Sequence, residues 1–220
     1  MAGKIPHALL GVFLLLLVLQ PFVVKSGTVK LESPPDWWGS RGGPDDVGRP
    51  NSDLEAANQT LSRKRWYRFP VTYGFYSGIE MPSGVEPQDV ARAFDDAFAK
   101  WKAAVPKLNF KREQPGDNSD IKIGFTAIKS PKFGVGYYPP KGMLLLDNSH
   151  THWSTASNPA RGEIDLQSTA LHEIGHTIGL KHSNDPASVM YPTLSFGTIK
   201  RELTQLDINN LRALYSPSTP

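Results

Sequence analysis

The stretch Leu171 to His182, LHEIGHTIGLKH, sets three histidines and one glutamate into twelve residues, with two glycines among them. On an α-helix each residue turns the chain by about 100°, so His172 and His176 stand about 40° apart on one face, one turn above the other. Two imidazoles placed that way can grip one metal ion. His182 cannot join them on a continuing helix: it would lie about 9 Å further along the axis than His176, whereas a zinc–nitrogen bond spans only about 2.0–2.1 Å. The chain must break and fold back. Gly179 sits where the break is needed, because glycine takes the left-handed conformation that ends helices at little steric cost.

Glu173 projects to the side of the histidine pair, which suits a carboxylate that holds a water on the metal rather than the metal itself. Three neutral nitrogen ligands without a fourth protein ligand leave one position open, the arrangement of a catalytic rather than a structural zinc. Taken singly, each piece has a bland reading as a packed histidine or a solvated pair. Five specified positions, H-E-x-x-H-x-x-G-x-x-H, arise by chance in a chain this long at a rate on the order of one in ten thousand. The pattern predicts one catalytic zinc ion on His172, His176 and His182, with Glu173 as general base. The reaction class is peptide-bond hydrolysis without a covalent intermediate.

The 220 residues suit one domain with short appendages. Residues 1–26 read as a secretory signal peptide: Lys4 precedes an apolar run from Ala8 to Leu19, and the small residues Ser26 and Gly27 follow. Gln20 and Pro21 interrupt the alternative, an uncleaved membrane anchor. The absence of cysteine from a secreted chain excludes disulfides, a thiolate nucleophile and cysteine ligands. A net charge of +3 with scattered basic residues argues against a nucleic-acid partner. The one tight basic run, Arg63-Lys64-Arg65, reads either as a processing point for a dibasic-cleaving protease or as the solvated start of a strand. Asn58 heads an acceptor triplet for glycosylation.

Residues 27–63 are rich in Pro, Gly, Asp and Ser and lack periodicity, so they are expected to form a poorly ordered leader. Order is expected from about residue 64 to 217. RWYRFPVTYGFY reads as a strand that Pro70 assigns to an edge or a bulge. Pro87 opens an amphipathic helix carrying Val90, Ala93, Phe94, Ala97, Phe98, Trp101 and Val105, and Pro106 ends it. LNFKR, DIKIGF and GMLLLD are further strands, and the intervening TAIKSPKFGVGYYPPK reads as loop. A second helix runs from Asp165 to about Ile178, and a third opens on Thr204-Gln205-Leu206-Asp207, a capping-box pattern. Early strands with interspersed helices predict an α/β domain, α+β in some schemes.

The extended histidine motif is that of the metzincin metalloproteases, and SVMYP, Ser188 to Pro192, looks like their Met-turn. Ser183, directly after the third histidine, resembles the matrixins, or matrix metalloproteinases. FPVTYGF, AFAKWKAAVPKLNF, DIKIGF, the histidine helix, MYPT and LTQLDINNLRALYS fall in matrixin order over about residues 64 to 216, nearest the plant type. That resemblance implies a twisted, mixed five-stranded sheet with three helices, whose edge strand near Met143 to Leu146 receives an extended protein or peptide substrate. It implies that Met190 forms an apolar floor beneath the metal and that Tyr191, Pro192, Thr193 and Leu194 wall the pocket for the residue after the scissile bond. Ser168, small and one turn before His172, suggests an open apolar pocket preferring Leu or Ile. Asp147 matches a calcium-ligand position, and Asp207 matches one of two aspartates that bind the mature N-terminal ammonium, the other being replaced by Leu206.

Several features depart from the family pattern. Matrixins stay latent through a propeptide cysteine on the zinc; with no cysteine and a short leader, that mechanism is expected not to operate here. The loop TAIKSPKFGVGYYPPK has no histidine or aspartate, so the family's structural second zinc is expected to be absent. His150 and His152 form an i, i+2 pair in a polar loop, more simply read as solvated. SPSTP carries no lipid-anchor signal, so the mature protein is expected to be extracellular, monomeric and without a stable membrane anchor. A competing reading is a secreted regulatory or binding protein that keeps fold and zinc without useful proteolysis, and intact Glu173 argues against it.

Overall fold

The computed structural model describes residues 64–128 and 132–215. The expected signal peptide and leader, with Asn58 and Arg63, fall outside the described residues.

The amphipathic stripe on residues 87–105 forms helix α1, Pro87–Ala104. Proline is well placed in its first turn, where no intrahelical acceptor awaits its missing N–H. Val90, Phe94, Ala97 and Trp101 are fully buried. Five strands make the main sheet: β1 Val71–Phe75, β2 Phe110–Arg112, β3 Ile121–Thr126, β4 Gly134–Gly136 and β5 Met143–Asp147. Their spatial order is β2-β1-β3-β5-β4, with three parallel pairings and β4 antiparallel to β5. A two-stranded parallel pair, β6 Trp153–Ser154 and β7 Ile164–Asp165, leads into α2, Leu166–Thr177, and α3 follows at Gln205–Tyr215. The mixed five-stranded sheet and three helices are those expected.

Two strand assignments need correction. Met143–Asp147 is not the edge: it lies between β3 and β4, and all five of its residues are buried, as an interior strand's should be. The edge beside α2 is β4, within the segment read as loop. Gly-Val-Gly is too short and too glycine-rich to show an alternating apolar pattern. Conversely, Pro70 marks neither an edge nor a bulge, because it precedes β1, which is interior. Its lack of an N–H costs the ladder nothing.

Aromatic residues join α1 to the sheet. Tyr73 stacks on Phe98 at 3.8 Å between ring centroids, Phe75 meets Phe94 edge-on at 5.3 Å, and Phe98 meets Phe110 at 4.9 Å. The buried Trp101 donates its indole N–H to Leu171 O at 2.9 Å, tying α1 to the histidine helix. Helix α3 opens with a reciprocal cap: the Asp207 N–H meets Thr204 Oγ1 at 3.2 Å, and Asp207 Oδ2 accepts the Thr204 N–H at 2.8 Å. Trp66 crosses the far end of α2, its indole donating to Thr177 O at 2.9 Å. None of the helices among the described residues is long and apolar enough to cross a membrane.

Candidate active site

Helix α2 starts on a strong cap. The Asp165 carboxylate accepts the Ser168 N–H at 2.8 Å and is held by the Arg201 guanidinium, whose Nε donates at 2.9 Å. The helix ends in a Schellman motif: the Leu180 N–H reaches Gly175 O and the Gly179 N–H reaches His176 O, both at 2.9 Å. Gly179 takes φ +104°, and a Cβ there would lie 1.9 Å from Lys64 O. Both the conformation and the neighbouring backbone of Lys64 therefore demand glycine. The break folds the chain back as the spacing required.

His172, His176 and His182 converge, each offering one nitrogen, with all three within 4.8 Å of one another. His176 Nε2 lies 3.1 Å from His172 Nε2 and 3.2 Å from His182 Nε2. Ligand nitrogens about 2.0–2.1 Å from a tetrahedral zinc are about 3.3 Å apart, so the spacing fits that ion. Tautomers strengthen the case. His172 Nδ1 faces Val189 O at 2.7 Å and His176 Nδ1 faces Leu180 O at 2.8 Å, and a carbonyl can only accept. Both Nδ1 atoms must carry the proton, leaving the Nε2 lone pairs turned toward each other. A cation bound between them relieves that repulsion while both rings stay neutral. Burial keeps them neutral, lowering the pKa of His172 to about 4 and that of His176 well below the usual histidine range.

Glu173 is buried on the side of α2 that faces β4, where burial raises its pKa to about 8 against the opposing pull of the Gly136 backbone N–H and the Lys132 charge. The sequence reading missed the role of β4 here. A Cβ on Gly136 would lie 2.4 Å from Glu173 O, and one on Gly134 would lie 2.9 Å from Glu173 Oε1. Two glycines at i, i+2 share one face of a strand, and their spacing in KFGVGYY is the signal that a backbone approaches closely.

Met190 is 2% exposed and packs against Gly175, on the turn between the two helical histidines. The Ser183 N–H donates to Met190 O at 2.9 Å, fastening the segment after His182 to the Met-turn. Asp207 fixes that turn from α3, accepting Ser188 Oγ at 2.5 Å and the Val189 N–H at 3.2 Å.

A cavity of about 350 Å³ opens beside the histidines, with Glu173, Ser168 and the wall Tyr191, Pro192, Thr193 and Leu194 along it. Lys132 and Lys200 also line it, neither foreseen from the sequence. Ser168 is not a bare small floor. Its hydroxyl bonds Asp165 Oδ2 at 2.5 Å and accepts the Lys200 N–H at 2.7 Å.

Asp147, which the resemblance matches to a calcium-ligand position, organises its own loop. Its carboxylate accepts backbone N–H groups of Ile128, Ser149, His150 and Thr151 and the hydroxyls of Ser149 and Thr151, all within 3.3 Å. A carboxylate offers about four lone-pair sites, so the loop uses the whole group. His150 Nδ1 sits 2.6 Å from Ser149 Oγ, and neither it nor His152 joins any metal-capable cluster among the described residues.

The convergent imidazoles, with the buried carboxylate and the adjacent cleft beside them, form a group that could hold one metal ion. Residues 65–216 match the family model described as Matrixin, and the chain belongs to that family. It is 32% identical over 192 residues to Metalloendoproteinase 4-MMP of Arabidopsis thaliana, covering 79% of this chain and 55% of that protein. Metalloendoproteinase 5-MMP of the same plant is 35% identical over 161 residues, 66% of this chain and 43% of the relative. Human neutrophil collagenase is 33% identical over 174 residues, 73% and 35% of the two chains. The chain thus spans about half or less of these relatives.

Proposed function

We propose that the protein is a secreted zinc endopeptidase that hydrolyses internal peptide bonds of extracellular proteins. The observation that carries this reading is the set of three imidazole nitrogens, with that of His176 held 3.1 and 3.2 Å from the other two, beside a buried carboxylate. His172, His176 and His182 would hold one zinc ion, and no structural second zinc is proposed. When bound, zinc supplies Lewis acidity, polarising the substrate carbonyl and lowering the pKa of water.

The remaining steps belong to the chain's own residues. Glu173 takes the proton of the attacking water and delivers it to the leaving amine nitrogen, so each protonation is balanced within one turnover. The free edge of β4 takes the substrate backbone in extended form, adding a strand to the sheet and placing the scissile bond over the histidines. The cavity beside them takes the side chain that follows the scissile bond, against the apolar surfaces of Val189, Tyr191, Pro192 and Leu194. The named relatives include metalloendoproteinases and a collagenase, which supports the reaction class.

Cleavage of a diverse peptide library by the purified protein, with and without a zinc chelator, tests the proposal. Chelator-sensitive hydrolysis is expected. One zinc per chain without cleavage of any peptide would instead favour a binding or regulatory protein.

A further inference from the structure

The specificity pocket has walls of one chemistry and a cation of another. Lys200 lies along the cavity, beside the wall residue Tyr191. Its Nζ donates to Pro186 O at 2.6 Å and to Ser188 O at 3.3 Å and stands 4.9 Å from the Tyr191 ring centroid. An ammonium has three N–H donors, and these two carbonyls take two of them. Asp207 and Asp185 also act on its charge, but Asp207 Oδ1 accepts Ser188 Oγ, and its Oδ2 accepts the Val189 and Thr204 N–H groups and the Thr204 hydroxyl. The backbone bond from Lys200 to Ser168 Oγ anchors the residue to α2. Lys132 adds a second positive charge to the same cavity, and apart from Glu173 the lining contains no carboxylate.

Resting on the reading of this cavity as the pocket for the residue after the scissile bond, we infer that it selects a side chain with an aliphatic stem and an oxygen acceptor at its tip, glutamate above all. The stem lies against Val189, Tyr191 and Leu194, and the tip takes the third N–H of Lys200 in a charge-assisted hydrogen bond. Such a bond in a half-buried pocket corresponds to about a tenfold preference over the same stem without oxygens. Methionine, of matched length and without charge, is the proper comparison, and glutamine falls between the two.

The experiment uses three peptides differing only after the scissile bond, with Glu, Gln or Met, and zinc-loaded wild-type, Lys200→Met and Lys200→Arg proteins. The ratio of kcat/KM for Glu to that for Met is expected to be about tenfold in the wild type, near one in Lys200→Met, and largely kept in Lys200→Arg. Taking ratios cancels any general loss of activity from disturbing the bonds to Pro186 and Ser188. A wild-type ratio at or below one, or a ratio that Lys200→Met leaves within twofold, would overturn the inference. Calorimetric binding of the same peptides to the zinc-loaded Glu173→Gln protein repeats the comparison without turnover. Absence of cleavage in every peptide would sink the protease reading, while equal affinities for Glu and Met peptides would sink the pocket inference separately.

Discussion

Gly175 and Met190 touch beneath the histidine pair: a Cβ on Gly175 would lie 2.3 Å from Met190 Sδ and 3.2 Å from the Trp101 ring. Glycine in the middle of a helix costs about 1 kcal/mol in propensity relative to alanine. Here it lets the Met-turn rise against α2 between His172 and His176, and Asp207 holds that turn in place through Ser188 and Val189. The geometry of the three nitrogens thus depends on a contact made by none of them.

Gly175→Ala should therefore destabilise the protein despite the better helix former. Overpacking of a filled core costs about 1–3 kcal/mol, which exceeds the propensity gain, and Met190 must move to absorb it. Urea unfolding with and without zinc is the measurement. A larger loss in the zinc-loaded protein is expected, because displacing Met190 disturbs the ligand set as well as the core. Equal or improved stability would show that the floor is soft.

Replacing Glu173 with Gln separates proton transfer from metal binding. Glutamine keeps the size and an oxygen for the Gly136 N–H but has no basic carboxylate. Peptide hydrolysis should fall by about 10²–10⁴-fold, the range for loss of a general base, while zinc content by atomic absorption stays near one per chain. Full activity in this variant would remove Glu173 from the mechanism.

His182 is exposed and reaches the site from beyond the helix break, so its loss should spare the fold. His182→Ala is expected to weaken zinc binding by at least about a hundredfold while leaving the far-ultraviolet circular dichroism unchanged. Dialysis against graded chelator reads the affinity directly. Unaltered affinity would mean that two helical histidines suffice.

Much of this arrangement was legible in residues 165–190. The helix, its break at Gly179 and the convergence of His182 follow from spacing alone, because helical geometry leaves few alternatives. The apolar stripe from Val90 to Trp101 likewise exposed α1. What escaped was non-local. Gly134 and Gly136 form a strand only because β5 pairs with them and α2 presses on them, and three residues of Gly-Val-Gly carry no periodicity to announce it. Lys200 lies 24 residues beyond His176 and enters the pocket through a bond to Ser168 that no local pattern encodes. Asp147 was assigned by resemblance, and only the surrounding donors show what its carboxylate does.

Asp147 also sets an acid limit on stability. Its side chain is 2% exposed and accepts hydrogen bonds from four backbone and two hydroxyl donors, which hold its pKa well below the ordinary carboxylate range even though burial pushes the other way. A depressed folded-state pKa stabilises the protein above the unfolded-state value of about 3.9, and that contribution fades as the pH falls toward the folded-state value. Asp147→Asn swaps one acceptor oxygen for an NH2 that confronts donors, so it should cost about 2–4 kcal/mol at neutral pH. The gap between wild type and variant should then narrow steadily below about pH 4, because the unfolded wild type takes up a proton there that the folded protein does not, while the amide does not titrate. Paired urea titrations from pH 7 to 3 measure the gap, and a gap independent of pH would show that packing, not the carboxylate charge, holds the loop.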